Sequence, residues 1–361
     1  MDRVRVMWPR LPKADDVAGY LRRMDAARTY SNFGPLVTEL EARYAERFNV
    51  EPSRVVTCSS ATIGLQGALE MLPAGTTVHC PSWTFPATPM AITNAGQCIA
   101  FHDVSDSDWQ IDVDSEYAQR DAIVPVLPFG AQCDLARWSQ WKYVVLDAAA
   151  SGGATDLDLS DLPATWAVVV SLHATKVLGA GEGGVVILGT DAAAERFRSF
   201  TNLGFVVTRS SDVSGTNAKL PEPGAAYALA ALDQWQQEEF EWRAARALAN
   251  AAEMRLGLGS PCSSYPGVNP YWILRFPTPE IRNAVEVALA AQSIESRRWW
   301  EKRCDQMSAF DTVDVEFPPG GFPVSDALVA TVLGLPFHRD LTVVEVDRVV
   351  SVIESVQGAV A

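Results

Sequence analysis

The sequence predicts an α/β chain: a large domain on a parallel sheet covered by helices on both faces, then a smaller C-terminal α+β unit. Three observations carry this expectation. Short β-branched runs alternate with stretches of helical period through the first two thirds of the 361 residues. Several of those runs are continuously apolar, as strands buried on both faces are. At ~150 residues per domain the length favours about two domains, and a chain this long removes roughly three quarters of its unfolded surface from water without disulfides or metals.

The elements follow in order. VTELEARYAERF places Leu40, Tyr44 and Phe48 four apart on one helix face. RVVT (54–57) reads as a strand, and ATIGLQGALEML after it has helical period. TVHC (77–80), a helix over 86–95 and CIAF (98–101) repeat the pattern. AIVPVL (122–127), YVVL (143–146), WAVVVS (166–171) and VVIL (185–188) are further strands. Residues 222–255 are helical and alanine-rich. In the C-terminal unit YWILRF is a strand, with helices over 280–292 and 342–357. The division falls at 1–240 for the large domain and 241–361 for the small one.

Composition excludes several classes of function. Hydrophobic residues make up 48% and charged residues 20%, which argues against disorder. The net charge of −15 repels phosphate backbones and anionic lipid, so neither nucleic acid nor membrane is an expected partner. Cys58, Cys80, Cys98, Cys133, Cys262 and Cys304 form no C-x-x-C pair and read as free thiols of a reducing cytoplasm. No apolar run reaches the roughly 18 residues that span a bilayer, and MDRVRVMWPRLPKADD lacks a signal-peptide core. A cytoplasmic location is therefore expected. His79, His102, His173 and His338 show no ligand spacing, so no metal is expected. GAGEGG (179–184) matches G-x-G-x-x-G, but a strand-like VVIL follows where a dinucleotide fingerprint needs a helix.

SLHATKVLGAGEGG (171–184) is the informative stretch. Lysine occurs only at 13, 142, 176, 219 and 302, and Lys176 stands between a buried-looking strand and a Gly-rich turn. It reads either as a snorkelling side chain or as a desolvated amine activated for covalent chemistry. In YVVLDAAASGG, Asp147 closes an apolar strand 29 residues earlier. It reads as a cap or turn residue, or as a functional carboxylate at the carboxyl end of a strand. Pyridoxal phosphate needs such an acid, because its ring nitrogen must stay protonated to accept electrons. RVVTCSSATIGL passes from strand to helix through small residues, either an ordinary N-cap or a phosphate cradle opened by Ala61 and Thr62.

CSSAT, PSWTFPAT, LDAA, SLHATK, GEGG and GTNAKL occur in the order and approximate spacing of the DegT/DnrJ/EryC1/StrS family, which this sequence resembles. YSNFGPLVTELE (30–41) and LGLPFHRDLTVVEVDRVVSVIES resemble the family's N-terminal and C-terminal stretches, so the likeness spans about residues 30–355. The resemblance implies a sugar aminotransferase of the aspartate-aminotransferase fold (fold type I). That fold has a large mixed, mostly parallel sheet domain and a smaller α+β domain. It implies pyridoxal 5'-phosphate held covalently by Lys176, with Asp147 on the ring nitrogen and Phe85 stacked on the ring. Ala61, Thr62 and Ser171 match the phosphate ligands. Asn217 matches a ligand donated by a neighbouring subunit, hence a homodimer.

Ala150 stands where the family often carries His or Gln, and Pro221 and Pro223 fall where its helix usually continues. ESRRWWEKRCDQ (295–306) resembles the family's arginine-bearing segment near the substrate, and its double Trp resembles members acting on dTDP-linked 4-keto-6-deoxyhexoses. Arg297 and Arg298 read as diphosphate ligands or as surface charge, and His173 as a substrate contact beside the lysine. The implied reaction transfers an amino group from L-glutamate to a nucleotide-linked keto sugar, at carbon 4 of dTDP-4-keto-6-deoxy-D-glucose, for surface-glycan synthesis. Amination at carbon 3 is the alternative within the family, and a cofactor-binding regulator without turnover is the alternative outside enzymology. Dehydrating relatives replace the lysine with histidine, which Lys176 argues against.

Overall fold

Valine and isoleucine runs flanked by helices build one large sheet. In the computed structural model, which describes residues 2–113, 121–132, 134–150, 157–265, 267–311, 313 and 315–360, its strands are β1 (Val55–Cys58), β2 (Thr77–Pro81), β3 (Cys98–His102), β4 (Ala122–Ile123), β5 (Tyr143–Asp147), β6 (Trp166–Ser171), β7 (Gly184–Leu188) and, from the C-terminal part, β9 (Val315–Glu316). The order is β1-β7-β6-β5-β4-β2-β3-β9, with only β7 antiparallel to its neighbours. This is the mixed, mostly parallel sheet that the sequence implies. A two-stranded antiparallel sheet pairs β8 (Trp272–Arg275) with β10 (Val332–Leu335).

Helices α1 (Ala14–Ala27), α2 (Pro35–Phe48), α3 (Ala61–Leu69), α4 (Ala87–Asn94) and α5 (Asp191–Thr201) belong to the first part of the chain. Helix α6 (Glu222–Leu256) follows, then α7 (Pro279–Ala291), α8 (Pro323–Thr331) and α9 (Val343–Val360). Two apolar layers sandwich the large sheet. One takes Leu36, Leu40, Tyr44 and Phe48 of α2 against Val144, Val168 and Ile187. The other takes Leu65 and Leu69 of α3 against Val145, Val169 and Val186. Alternate residues of one strand thus enter opposite layers, which is why these strands read as unbroken apolar runs.

Two local expectations change. AIVPVL is a strand only at Ala122–Ile123, because Pro125 has no N–H to give a ladder; Val126 makes a single bridge to Asp147. Pro221 and Pro223 do not interrupt a helix but open one: Pro221 is the N-cap of α6 and Pro223 lies in its first turn, where a missing N–H costs nothing. The buried Glu222 between them accepts the N–H groups of Leu36 at 2.8 Å and Val37 at 3.0 Å, capping α2 from a distance.

Residue 240 lies inside α6, whose Ala225–Ala230 stretch packs in the first layer and whose Trp242, Ala245 and Ala249 pack with β8, α7 and α9. At the other end, Val4 bridges to Ile294, so the N-terminal strap runs along the C-terminal part. Cys58, Cys80, Cys262 and Cys304 are buried and, with Cys98, unpaired by disulfides; Cys133 lies outside the described residues. Among the described residues, no helix is long and apolar enough to cross a membrane.

Candidate active site

Topology gathers the site before any side chain is considered. Strands β1, β6, β5 and β2 run parallel, so their carboxyl ends share one edge of the sheet, the edge where open α/β sheets bind ligands. Asp147 ends β5 and Ser171 ends β6; α3 opens three residues after β1, and Phe85 follows β2 by four.

Asp147 is 6% exposed. Its Oδ2 accepts the Thr88 hydroxyl at 2.7 Å and its Oδ1 accepts the Ala149 N–H at 3.1 Å. Burial pushes its pKa above the ordinary carboxylate value, and those two donors together with the Lys176 charge pull the other way. An acid so desolvated is stabilised in its charged form by a further cation.

Lys176 stands in a turn that folds back on itself after β6. Its N–H donates to the His173 carbonyl at 2.9 Å, and its own carbonyl accepts the Gly179 N–H at 3.1 Å. A Cβ at Gly179 would lie 2.8 Å from the Ala174 carbonyl oxygen, so only glycine permits the reversal. Strand β7, not a helix, follows the glycines. The half-buried amine donates to the Tyr271 hydroxyl at 2.9 Å. Lys176 also lines a narrow pocket with Met7, Trp8, Arg10, His338 and Arg339. His338 is 3% exposed, its ring nitrogens have no hydrogen-bond partner among the described residues, and burial lowers its pKa.

At the other end of the edge, Ser60 caps α3 by accepting the Ile63 N–H at 3.3 Å. The Ala61 and Thr62 amides belong to the first turn, where no intrahelical acceptor exists. Gly184 brings β7 against this turn: a Cβ there would lie 2.8 Å from the Ser60 carbonyl carbon and 2.9 Å from the Ala61 nitrogen. Ser171 and Cys58 are both in register with Gly184, which sets Ser171 two strands from the end of β1. Phe85 is 57% exposed although Trp83 and Thr88 beside it are buried. Its carbonyl accepts the Thr88 N–H at 3.2 Å, one turn from the residue that holds Asp147. An amine, a buried acid that a cation would relieve, an uncovered aromatic face and a helix N-terminus fit the demands of pyridoxal phosphate.

The remaining sequence candidates lie around this group. His173 Nδ1 is 2.8 Å from the Thr175 hydroxyl, and its Nε2 is 3.7 Å from Glu182. Arg297 is exposed, and its guanidinium lies over the Trp299 ring at 4.9 Å; Trp299 in turn meets Tyr271. Arg298 points elsewhere: its Nε donates to both Glu286 oxygens on α7 at 3.0 Å. Asn217 is exposed and its Oδ1 accepts from the Lys219 amine at 2.7 Å, while Ala218 beside it accepts the Ser59 N–H at 2.7 Å. The segment therefore borders the α3 turn of its own chain. The sequence does not single out Thr88, Tyr271 or His338 as site residues. Thr88 carries a signal in hindsight, a Thr at the start of a helix after PSWTF; Tyr271, 95 residues from Lys176, carries none.

Comparison with known proteins bears on the family and the fold. The DegT/DnrJ/EryC1/StrS aminotransferase family model matches residues 13–354. The chain is 29% identical over 238 residues to the dTDP-4-amino-4,6-dideoxy-D-glucose transaminase of Shigella dysenteriae, spanning 63% of this chain and 64% of that protein. It therefore spans under two thirds of that relative's length. It is 27% identical over 357 residues to the dTDP-3-amino-3,4,6-trideoxy-alpha-D-glucose transaminase of Streptomyces venezuelae, covering 94% and 92% of the two chains. The crystal structure of DesI in the presence of its TDP-sugar product superposes with a TM-score of 0.85 at 27% identity, covering 98% of this chain and 93% of that one. A match over nearly the whole chain, on a fold with the same architecture, settles the affiliation: this chain belongs to the DegT/DnrJ/EryC1/StrS aminotransferase family.

Proposed function

We propose that this chain is a pyridoxal-phosphate transaminase that moves an amino group from L-glutamate to a nucleotide-linked keto sugar. One observation carries the reading: the Lys176 amine and the buried Asp147 carboxylate stand at the same sheet edge as an exposed Phe85 ring and the α3 N-terminus. The cofactor supplies an electron sink when bound. Lys176 is the amine that holds it covalently and then carries a proton between donor and acceptor carbons. Asp147 keeps the ring nitrogen protonated, and Phe85 covers one ring face. Backbone amides of Ala61 and Thr62 bind the phosphate together with the Thr62 and Ser171 hydroxyls.

For the acceptor, dTDP-4-keto-6-deoxy-D-glucose aminated at carbon 4 is the reading favoured by the name of the Shigella relative and by the double Trp at 299–300. The Streptomyces relative, named for a 3-amino sugar, makes carbon 3 the competing outcome. Arg297, exposed beside Trp299, is the better diphosphate ligand of the arginine pair, since Glu286 occupies Arg298. His173, beside the lysine turn, contacts substrate. In this reading residues 1–240 hold the cofactor and 241–361 cover it. Two chains form a cytoplasmic homodimer in which Asn217 completes the neighbour's phosphate site, and the product serves surface-glycan synthesis.

The test is incubation of the holoprotein with L-glutamate and a panel of dTDP-, GDP- and UDP-linked 3-keto and 4-keto sugars, reading product mass and regiochemistry. A 4-amino dTDP-sugar is the expected product. A yellow protein that gives no half-reaction with glutamate would instead favour the regulator.

A further inference from the structure

The hydroxyl of Tyr271, just before β8, faces the Lys176 amine. The oxygen is 2.9 Å from Nζ, and the ring centroid is 5.6 Å from the same nitrogen. The tyrosine is 7% exposed and held from several sides. Its N–H donates to Asn269 Oδ1 at 3.2 Å, and its carbonyl accepts from the Arg246 guanidinium. Arg246 is itself pinned, donating to the same Asn269 oxygen at 2.8 Å and lying over the Phe337 ring at 4.3 Å. Phe129 and Trp299 meet the Tyr271 ring nearly edge-on, at 5.5 and 5.6 Å. A side chain fixed in this way presents one atom at one place, with its rotamer entropy already lost.

We propose that Tyr271 is a further catalytic residue, the group that keeps the Lys176 amine aimed in both of its protonation states. The inference rests on the reading of Lys176 as the reacting amine. While Lys176 is an ammonium, it donates N–H to the hydroxyl oxygen, as observed. When the amine has given up that proton, the hydroxyl turns and donates its own O–H to the nitrogen lone pair. The proton that the amine gives up goes to the substrate carbon and is later taken back from it; the hydroxyl keeps its own proton throughout, and the amine stays on one axis in both states. The contact with the ammonium is the stronger of the two, because charge-assisted hydrogen bonds are roughly twice as strong as neutral ones. Removing the hydroxyl therefore costs the ammonium contact more than the neutral one. It also places a group from the C-terminal part of the chain on the lysine of the sheet edge, so that the amine is aimed only when the two parts are packed together.

The test is Tyr271→Phe, which keeps the packed ring and removes only the hydroxyl. In cofactor-free protein, lysine acylation by acetic anhydride is followed by mass spectrometry across pH, with Lys13 and Lys302 as internal references. The midpoint for Lys176 is expected to move down by about half to one pH unit, the size of one charge-assisted hydrogen bond partly offset by the neutral one. Asn269→Ala, which releases the Tyr271 amide, is expected to move it the same way by less. In holoprotein, the glutamate half-reaction is expected to lose about tenfold in rate at saturating glutamate, with the half-saturating concentration unchanged. Unmoved Lys176 midpoints in both variants would overturn the contact, and a moved midpoint with an unchanged rate would overturn the catalytic role. Borohydride reduction of the wild-type holoprotein that labels a lysine other than Lys176 would sink the underlying functional reading instead, whatever the acylation midpoints show.

Discussion

Thr88→Val tests how Asp147 is kept charged. Valine matches threonine in shape, so the fully buried position is refilled without a cavity and the loss is the hydroxyl alone. That hydroxyl donates to Asp147 Oδ2 at 2.7 Å, one of two donors on the carboxylate. A hydrogen bond to a charged group contributes about 1.5–3 kcal/mol, so its loss raises the Asp147 pKa further. Burial already raises Asp147 above the ordinary 3.8, and Thr88 is the largest influence opposing it.

The sign follows from that direction. A raised folded pKa means stability that is present at low pH, where the acid is neutral in both states, and lost as pH rises through the folded value. Thr88→Val carries that window higher. The cofactor-free variant should therefore lose more stability than the wild type on going from acid to neutral pH, and the gap between them should close below pH 3.8. Losing the Thr88 donor makes Asp147 costlier to hold charged against a protonated ring nitrogen, so pyridoxal phosphate should bind more weakly near neutrality, by up to about 100-fold if the whole hydrogen-bond increment is lost. Spectrophotometric titration with the cofactor and thermal melts against pH read both effects. Equal affinities, with a stability difference that does not vary with pH, would refute the reasoning.

Four further outcomes are expected. Gly184→Ala drives a Cβ into the backbone at Ser60 and Ala61; it should cost about 1–3 kcal/mol in denaturant midpoints and weaken cofactor binding. Gly19→Ala in α1, where the new Cβ meets nothing within 4 Å, should be neutral or stabilising by up to about 1 kcal/mol. The buried pair His79 and His102, with Nδ1 and Nε2 2.7 Å apart, has pKa values pulled by burial from 6.5 to about 4 and about 3. Its contribution is intact above 6.5 and is lost as pH falls toward those values, so urea midpoints should decline across that window, and less steeply in His79→Gln. For the proposed shared site, inactive Lys176→Ala and Asn217→Ala chains should regain activity on subunit exchange, since one mixed site carries both lesions and the other neither. Full activity of Asn217→Ala alone would rule out a shared site.

Much of this molecule is legible in one dimension, and for a definite reason. Apolar runs such as WAVVVS are buried in a sheet covered on both faces, and that environment imprints composition directly. Asp147, Ser171, Ala61 and Thr62 sit where a strand ends or a helix begins, so their places follow from local pattern once the strands are recognised. Lys176 stands out by rarity and by the glycines that let its turn close.

Other features have no local cause. Tyr271 reaches Lys176 only because the start of β8 abuts the lysine turn, and a hydrogen bond across 95 residues leaves no periodicity to read. Val315–Glu316 becomes an edge strand only because β3 is there to pair with it. Arg298 resembled its neighbour Arg297 until α7 supplied Glu286 to bind one and not the other. Local pattern marks most strands of the large sheet, several helices and the residues at their ends, because burial and backbone hydrogen bonding act on neighbours along the chain. The tertiary structure alone decided which distant side chains face the amine, because those contacts depend on how separate elements pack in space.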